Sequence, residues 1–293
     1  MKNIILAFSL LSSAILNAQY YYNDIIGTQE INIKMKTYLN AKVQSVIGTG
    51  YDENGRKSDD FNEWQDVQSN GTVLKVTTRN GQNVSRMYYH FDDQARLIST
   101  RDSATDVQTT STYKYNAGGK LSNIKSVTKG SASEFDKTSE RQWEYTAEGK
   151  PLRMLLIVNG NDSTAYRFTL DSNKNVGDEM LYHRGGVENQ IYYTYDQQKV
   201  YYFYDDQNRL TDITKYNTKI DRLLPELMFE YDDNNRVIQR ITVLSTVKYD
   251  TKRPDYFLWR YVYDEKGLRT REVLFSKLKE KKGEIKYAYT FAQ

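Results

Sequence analysis

"YYTYDQQKVYYFYDDQNRL", from Tyr192 to Leu210, holds seven aromatic residues in its first thirteen positions. Its last nine residues combine an aromatic-x-aromatic pair, an Asp, two or three turn-forming residues, a basic residue and an apolar one. Similar segments recur as "YHFDDQARL" from Tyr89, "YKYNAGGKL" from Tyr113, "WEYTAEGKP" from Trp143, "FEYDDNNRV" from Phe229 and "YVYDEKGLR" from Tyr261, with looser copies from Tyr51, Tyr166 and Tyr287. The quoted stretch is therefore one unit of a repeat.

Each unit predicts a β-hairpin. Side chains alternate between the two faces of a strand, so an aromatic-x-aromatic pair puts both rings on one face. The Asp or Asn that follows can bond its own backbone and start a turn, and a later Gly or Asn tolerates positive φ. The basic and apolar residues then begin the next strand. One copy is a strand, a turn of four or five residues and a second strand.

The fold class predicted from these units is all-β. We expect serial β-hairpin repeats that form a curved antiparallel meander sheet, open or partly rolled. The 26 tyrosines agree, because tyrosine suits a pleated, half-wet surface. Spaced apolar residues from Asp24 to Val43 also predict a short N-terminal helix, although periodicity over short runs is ambiguous. The predicted organisation is a signal peptide over 1–18 and a single domain over 19–293, with a cap segment at 19–64 and hairpin repeats at 65–293.

The amino terminus has the pattern of a secretory signal peptide. Met1 and Lys2 precede an apolar run from Ile4 to Leu16, which is too short to span a bilayer, and Ala18 is a small residue suited to the cleavage position. We therefore expect an exported protein that is periplasmic, cell-surface or secreted and not membrane-spanning. The chain has no cysteine, which excludes disulfides, thiolate metal sites and a lipidated cysteine, so it is not a lipoprotein.

Charge and motifs exclude several function classes. The net charge of +3 comes from 41 basic and 38 acidic residues spread along the chain, which does not favour a nucleic-acid partner. Charged residues on both faces of the predicted strands argue against a lipid-facing outer-membrane barrel. Neither His90 nor His183 belongs to a hydrolase or zinc-protease motif. We predict no catalytic residues, no metal and no cofactor.

The repeat "YxYDxxGRL" resembles the YD repeat of the RHS-like proteins of bacteria. The resemblance runs from Tyr89 to Phe291 and implies tandem hairpins in a long, curved antiparallel sheet. The size and exported start are similar to the small secreted YD-repeat proteins of the Bacteroidetes group, which implies a fold but no settled activity. Several copies depart from the pattern: the family Gly is Ala95, Asn208 or Asn235, and the family Asp is Thr146 or Thr169.

Pairs of carboxylates are the first candidate site. Three of the four pairs, Asp92-Asp93, Asp205-Asp206 and Asp232-Asp233, occupy the same turn position of the repeat, and the fourth is Asp59-Asp60. Turn chemistry accounts for the three. Calcium binding, which needs six to eight oxygens, and glycoside hydrolysis remain alternatives.

The second candidate site is aromatic. Tyr192, Tyr193, Tyr201 and Tyr202 put rings on both faces of one predicted hairpin, so they are either core or a ligand-binding surface. The favoured function is a non-catalytic binding or interaction module for a glycan or a protein. Two alternatives remain: a carrier of an apolar molecule in a half-barrel, and a polysaccharide-acting enzyme that uses turn carboxylates.

Overall fold

The computed structural model describes residues 19–103, 107–131, 136–160, 162–187, 190–195, 199–217, 221–244 and 255–293, with the backbone alone for 162, 182–187 and 190–195. The predicted signal peptide, 1–18, lies outside these residues. A π-helical turn, Tyr21–Ile26, leads into helix α1, Gly27–Asn40, and a short 3-10 turn lies at Ser69–Gly71. The strands are β1 Val43–Asp52, β2 Lys57–Gln68, β3 Val73–Asn80, β4 Asn83–Phe91, β5 Leu97–Ser103, β6 Val107–Tyr115, β7 Leu121–Gly130, β8 Lys137–Tyr145, β9 Pro151–Val158, β10 Asp162–Leu170, β11 Val176–Val187, β12 Gln190–Tyr195, β13 Val200–Tyr204, β14 Leu210–Asn217, β15 Arg222–Tyr231, β16 Val237–Leu244, β17 Asp255–Tyr263, β18 Arg269–Ser276 and β19 Lys281–Phe291.

The N-terminal helix is confirmed. Helix α1 ends at Asn40, and Lys42, with φ of 56°, reverses the chain into β1. A residue with positive φ just past the last turn is a common way to end a helix. Within the described residues, no helix is long and apolar enough to cross a membrane.

The repeat turn has one geometry, which Asp205 illustrates. The N–H of Asp205 donates to the carbonyl of Arg209 at 3.0 Å, and the N–H of Asn208 donates to the carbonyl of Asp205 at 2.9 Å. The Oδ1 of Asp205 accepts the N–H groups of Gln207 at 3.0 Å and Arg209 at 2.9 Å. The Arg209 side chain closes the turn by donating Nε to Oδ2 at 2.7 Å. The recurring letters of the repeat are thus the donors and acceptors of a single turn.

The same backbone and carboxylate bonds recur in the other copies that carry Asp. They form at Asp52, Asp92, Asp232 and Asp264, and also at Asp171, so in that copy the Asp position is held by Asp171 and the assignment to Thr169 is wrong. The third residue after the Asp has positive φ in each copy, including 56° at Ala95 and 62° at Lys174. The left-handed conformation costs a residue with a Cβ roughly 1–2 kcal/mol, which explains the Gly or Asn found here in most copies.

The second tyrosine of the pair joins one repeat to the copy before it. Tyr145 donates its hydroxyl to the carbonyl of Leu121 at 2.5 Å, and Tyr204 donates to the carbonyl of Val176 at 3.0 Å. Equivalent bonds run from Tyr115 to Leu97, from Tyr263 to Val237 and from Tyr289 to Arg269. The acceptor is always at the start of the strand that follows the preceding turn. Tyrosine is therefore preferred over phenylalanine here for its hydroxyl.

The chain divides into two compact units. The first comprises residues 31–96 and 230–293, with most of α1, β1–β4 and β16–β19, and the second comprises residues 18–30 and 97–229. In the second unit β10 pairs antiparallel with β11, and β13 with β14. Both β12 and β13 pair antiparallel with β11, β12 at residues 182–187 and β13 at residues 178–179. The core of that unit is the face of the sheet on which Tyr20, Tyr21 and Tyr22 pack their rings.

The expectation of an open or partly rolled sheet is wrong. In the first unit, β1 and β19 pair antiparallel from Val43 opposite Phe291 to Asp52 opposite Gly283. The first and last strands therefore leave no free edge between them, so the all-β antiparallel sheet is closed where β1 meets β19 and is not open there. The unpaired N–H and C=O groups of an edge strand favour such closure. Local patterns specify hairpins, but they carry no signal for pairing between strands so far apart in sequence.

Candidate functional site

The four predicted tyrosines do not form one described surface. Tyr202 is 3% exposed, its ring lies 5.2 Å from that of Tyr21, and its hydroxyl donates to Glu179 at 2.7 Å. Tyr201 is half-buried and, as the adjacent strand residue, projects from the opposite face. Tyr192 and Tyr193 lie in β12, and their side chains are outside the described part of the chain.

The rings of the repeat pairs are buried or half-buried in every copy from Tyr89 to Tyr289. In the second unit Trp143 stacks on Phe168 at 5.0 Å, and Tyr22 packs against Phe229 at 5.5 Å. These rings form the internal packing of the repeats and leave no exposed ladder of paired aromatics among the described residues.

The turn carboxylates accept hydrogen bonds from residues of their own turns. Burial raises the pKa of Asp205, but the hydrogen bonds from the Arg209 backbone and side chain outweigh it and hold the pKa below its usual range. The same balance, with the matching Arg, lowers the pKa of Asp92 and of Asp232. In the described ranges, no group of three or more His, Cys, Asp or Glu is placed to hold a metal ion.

A cluster of polar side chains lies where the first and last strands meet. We call it the closure cluster; it comprises Lys34, Glu63, Tyr261, Arg269, Glu272 and Tyr287. The strand pairings place four of these residues on one face in two neighbouring rows. Glu63, Gly48 and Tyr287 form one row, and Tyr261, Glu272 and Ile285 form the next. Residues directly opposite on paired antiparallel strands share a face. Helix α1 carries Lys34, whose charge interacts with that of Glu63.

Gly48 makes room at the centre of the row. A Cβ at this position would lie 2.9 Å from Cε1 of Tyr287 and 3.2 Å from Cβ of Glu63. Real Cβ atoms do not approach others so closely, so any larger residue would push these two side chains apart. The glycine is therefore needed for the close approach of Tyr287 and Glu63 and not for its φ angle.

Glu63 forms the buried end of the closure cluster. It is 9% exposed, and its Oε1 accepts Nε2 of Gln65 at 2.6 Å, while Gln65 in turn accepts the hydroxyl of Tyr38 at 2.8 Å. Burial raises the pKa of Glu63 despite the nearby Lys34. Burial also lowers the pKa of Lys34, against the attraction of Glu63. Both groups are thus shifted toward their neutral forms.

Arg269 and Glu272 form the wetter end. Nη1 of Arg269 lies 2.7 Å from Oε1 of Glu272, which also accepts the hydroxyl of Tyr287 at 2.9 Å. The guanidinium sits 4.2 Å from the ring centre of Tyr261, within the range of a cation–π contact. Burial lowers the pKa of Arg269, but Glu272 and the surrounding tyrosines outweigh it and raise the pKa well above its usual value. Arg269 is therefore a permanent cation.

The side chains at the wetter end of the cluster are only partly covered by protein atoms. The Arg269 side chain is 40% exposed even though it contacts Tyr261, Glu272 and Tyr263. Tyr261 and Tyr287 are half-buried as well. Aromatic faces beside a few fixed donors and acceptors are the usual lining of a small-ligand site. The sequence analysis did not identify this site, because its members come from α1, β2, β17, β18 and β19 and only the closure brings them together.

A second buried polar group lies in the other unit, around residues 19–24. Asp24 is buried, pairs with Nη1 of Arg141 at 3.1 Å and accepts Nε1 of Trp143 at 3.2 Å. Burial raises the pKa of Asp24 against both contacts. Glu179 accepts the N–H groups of Tyr20 at 3.1 Å and Tyr21 at 3.0 Å. These carboxylates hold the N-terminal segment on the sheet of the second unit.

No protein-family model matches the chain, and no curated protein matches it in sequence. Among solved structures, TcdB2-TccC3 without its hypervariable C-terminal region is 13% identical over 79% of this chain, with a TM-score of 0.32, and the chain spans 12% of that protein. The Photorhabdus luminescens Tc holotoxin pore gives 13% identity, the same shares of each chain and a TM-score of 0.31. A porin-like protein from Bacteroides uniformis is 10% identical over 85% of this chain and 98% of its own, with a TM-score of 0.39. Similarities this weak support no conclusion about the family, the fold or the function of this chain.

Proposed function

We propose that this chain is an exported, non-catalytic binding module of the YD-repeat type that holds a neutral, hydroxyl-rich ligand such as a glycan at the closure cluster. The signal-like amino terminus supports export. The observation that carries the binding site is the position of Arg269, whose side chain is 40% exposed between the ring of Tyr261 and the carboxylate of Glu272.

The charges of the cluster favour a neutral polar ligand. Two basic groups, Lys34 and Arg269, face two carboxyl groups, Glu63 and Glu272. A ligand of either charge would meet like charge as well as opposite charge. Hydroxyl groups can donate to carboxylates and accept from a guanidinium, so a sugar can use both.

The same charges give the apolar-carrier alternative little support at this site, because an apolar molecule would desolvate them without replacing their hydrogen bonds. The alternative of an enzyme that uses turn carboxylates has equally little support. The oxygens of Asp205, for example, already accept two backbone N–H groups and the Arg209 side chain.

The test is a glycan array followed by calorimetry with the best binder. Arg269→Met keeps the approximate length of the side chain and removes the guanidinium. The matched control is Arg153→Met, because Arg153 is a half-exposed arginine that bonds Glu144 in the other unit. We expect Arg269→Met to lose at least about tenfold in affinity, as expected for a charged hydrogen bond, and Arg153→Met to bind as the wild type does.

Tyr261→Leu provides a second variant in case Arg269→Met fails to fold, since it leaves the ion pair with Glu272 in place. Loss of affinity with unchanged thermal stability supports the site. Absence of any glycan signal, or equal affinity in all variants, would contradict it. Release of reducing sugar from a bound glycan would contradict the non-catalytic part of the proposal.

A further inference from the structure

Two carboxylates of the second unit converge on residues 19–21. Gln19 donates Nε2 to Oε2 of Glu226. The next two backbone N–H groups, of Tyr20 and Tyr21, donate to the two oxygens of Glu179 at 3.1 and 3.0 Å. One side-chain donor therefore points at Glu226, and two backbone donors point at Glu179.

Glu179 differs from Glu226 in its charge environment. It is 0% exposed, and among the described residues no cation forms an ion pair with it, whereas Glu226 pairs with Lys215 at 2.8 Å. Burial raises the pKa of Glu179 to about 7, although three hydrogen bonds to its charged form oppose the shift. A fully buried carboxylate is usually stabilised by an opposite charge. The described part of the site is therefore short of one cation.

Gln19 has a buried acceptor that lacks a donor among the described residues. It is 1% exposed, and its Oε1 is buried with no hydrogen-bond partner among the described residues. An ammonium group at the nitrogen of residue 19 would carry three N–H donors, enough for both a carboxylate and this amide oxygen. That nitrogen directly precedes the two N–H groups that Glu179 already accepts.

We infer that Glu179, together with Glu226, is a receptor for the α-ammonium group of Gln19, which forms when an export-associated peptidase hydrolyses the bond between Ala18 and Gln19. Water adds across the peptide bond, residue 18 leaves with a carboxylate, and the freed amine of Gln19 takes up a proton. The new charge lies beside the buried Glu179 carboxylate and fixes residues 19–25 on the sheet. The precursor is less stable than the mature chain, which suits passage through a membrane in an unfolded state.

The experiment compares chains that begin at Gln19 with chains that carry one extra Gly before it, each with Glu179 or Glu179→Gln. The extra residue removes the ammonium from its position and leaves the side chains of the site unchanged. In the Glu179 chains we expect it to raise the unfolding equilibrium constant about 10- to 100-fold, as for the loss of a buried charged hydrogen bond. In the Glu179→Gln chains we expect less than about a threefold change, since the charge partner is gone. Urea unfolding measures both.

An N-terminal glutamine can lose ammonia and cyclise to a lactam without a basic amine, so intact mass must show the open form. Repeating the comparison with Gln19→Ser avoids that reaction altogether. The pKa of the amine itself, from ¹⁵N NMR of the unextended chain, gives a readout that does not depend on the stability of any variant. We expect it above the ordinary range of about 7.7–8.0. A pKa within that range, or an extra Gly that acts equally in both backgrounds, would overturn the inference.

Discussion

Replacement of Asp205 by Ala tests whether the repeated carboxylates serve the turn. Asp205 accepts the N–H groups of Gln207 and Arg209 and the Nε of Arg209. Asp206 follows it directly, is exposed and serves as the matched control. If the turn needs only the first carboxylate, Asp205→Ala will lower the free energy of unfolding much more than Asp206→Ala.

The magnitude follows from the bonds that are lost. Two backbone N–H groups lose their acceptor, at about 1 kcal/mol each because water can partly replace it in an exposed turn. The solvent-screened pair with Arg209 adds about 0.5 kcal/mol. We expect Asp205→Ala to lower the free energy of unfolding by about 2–2.5 kcal/mol and Asp206→Ala to change it by less than about 0.5 kcal/mol.

The assay is urea unfolding followed by Trp and Tyr fluorescence, with the slope against urea required to stay constant. The pKa of Asp205 is lowered in the folded state, so its stabilisation is present above the unfolded pKa of about 4 and is lost as the pH falls through the lower folded value. The gap between wild type and Asp205→Ala should therefore shrink in acid. Equal effects of the two substitutions would refute the turn account, and a stabilisation by calcium that Asp205→Ala abolishes would favour a metal site.

Three further outcomes follow from the same structure. Tyr204→Phe should lower the free energy of unfolding in urea by about 1 kcal/mol, because it removes the hydrogen bond to Val176. The control Tyr256→Phe, at a half-buried tyrosine outside the repeat pairs, should lower it by less than half of that. Equal losses would show that the inter-repeat bond contributes nothing. Lys174→Gly should raise the free energy of unfolding by roughly 1 kcal/mol because φ is 62° there, and a loss of stability would contradict the strain argument. In a chain with a residue before Gln19, the pKa of Glu179 is raised to about 7 against an ordinary 4.5, so the contribution of this group to stability is largest below pH 4.5 and is lost as the pH rises through 7. Glu179→Gln should remove this contribution from the Tm profile, and a profile that Glu179→Gln leaves unchanged would show that another group titrates.

The hairpin content of the fold could be predicted from the sequence because it is local. The turn of "YDDQNRL" is specified within five residues, since the acceptor Asp205, the positive-φ residue Asn208 and the cation Arg209 lie within one turn of each other. The copies that depart from the pattern still form it: Ala95 adopts a φ of 56° without being Gly or Asn. The helix at Gly27–Asn40 could also be predicted, because its apolar spacing is local too.

The closure and the candidate site could not be predicted, because both depend on distant pairings. Nothing local to Val43 or Phe291 indicates that they lie opposite each other. The closure cluster depends on that pairing, since Glu63 reaches Tyr287 only across β1. The aromatic-rich stretch at Tyr192–Tyr204 was a candidate because of its composition, yet Tyr202 is an internal packing residue bonded to Glu179.

The pairing of the first and last strands underlies the closed fold and the proposed binding site, and a single engineered disulfide tests it most directly. Ser45 and Thr290 lie opposite each other on β1 and β19, with their hydroxyl oxygens 2.6 Å apart, and the chain has no cysteine of its own. Opposed strand residues have Cα atoms about 4.5–5.5 Å apart, which suits a disulfide. The account predicts that Ser45→Cys with Thr290→Cys oxidises completely within the monomer under mild conditions, while Ser58→Cys with Thr290→Cys stays reduced. A folded Ser45→Cys, Thr290→Cys chain in which both introduced thiols remain free would contradict the closure, and with it the site.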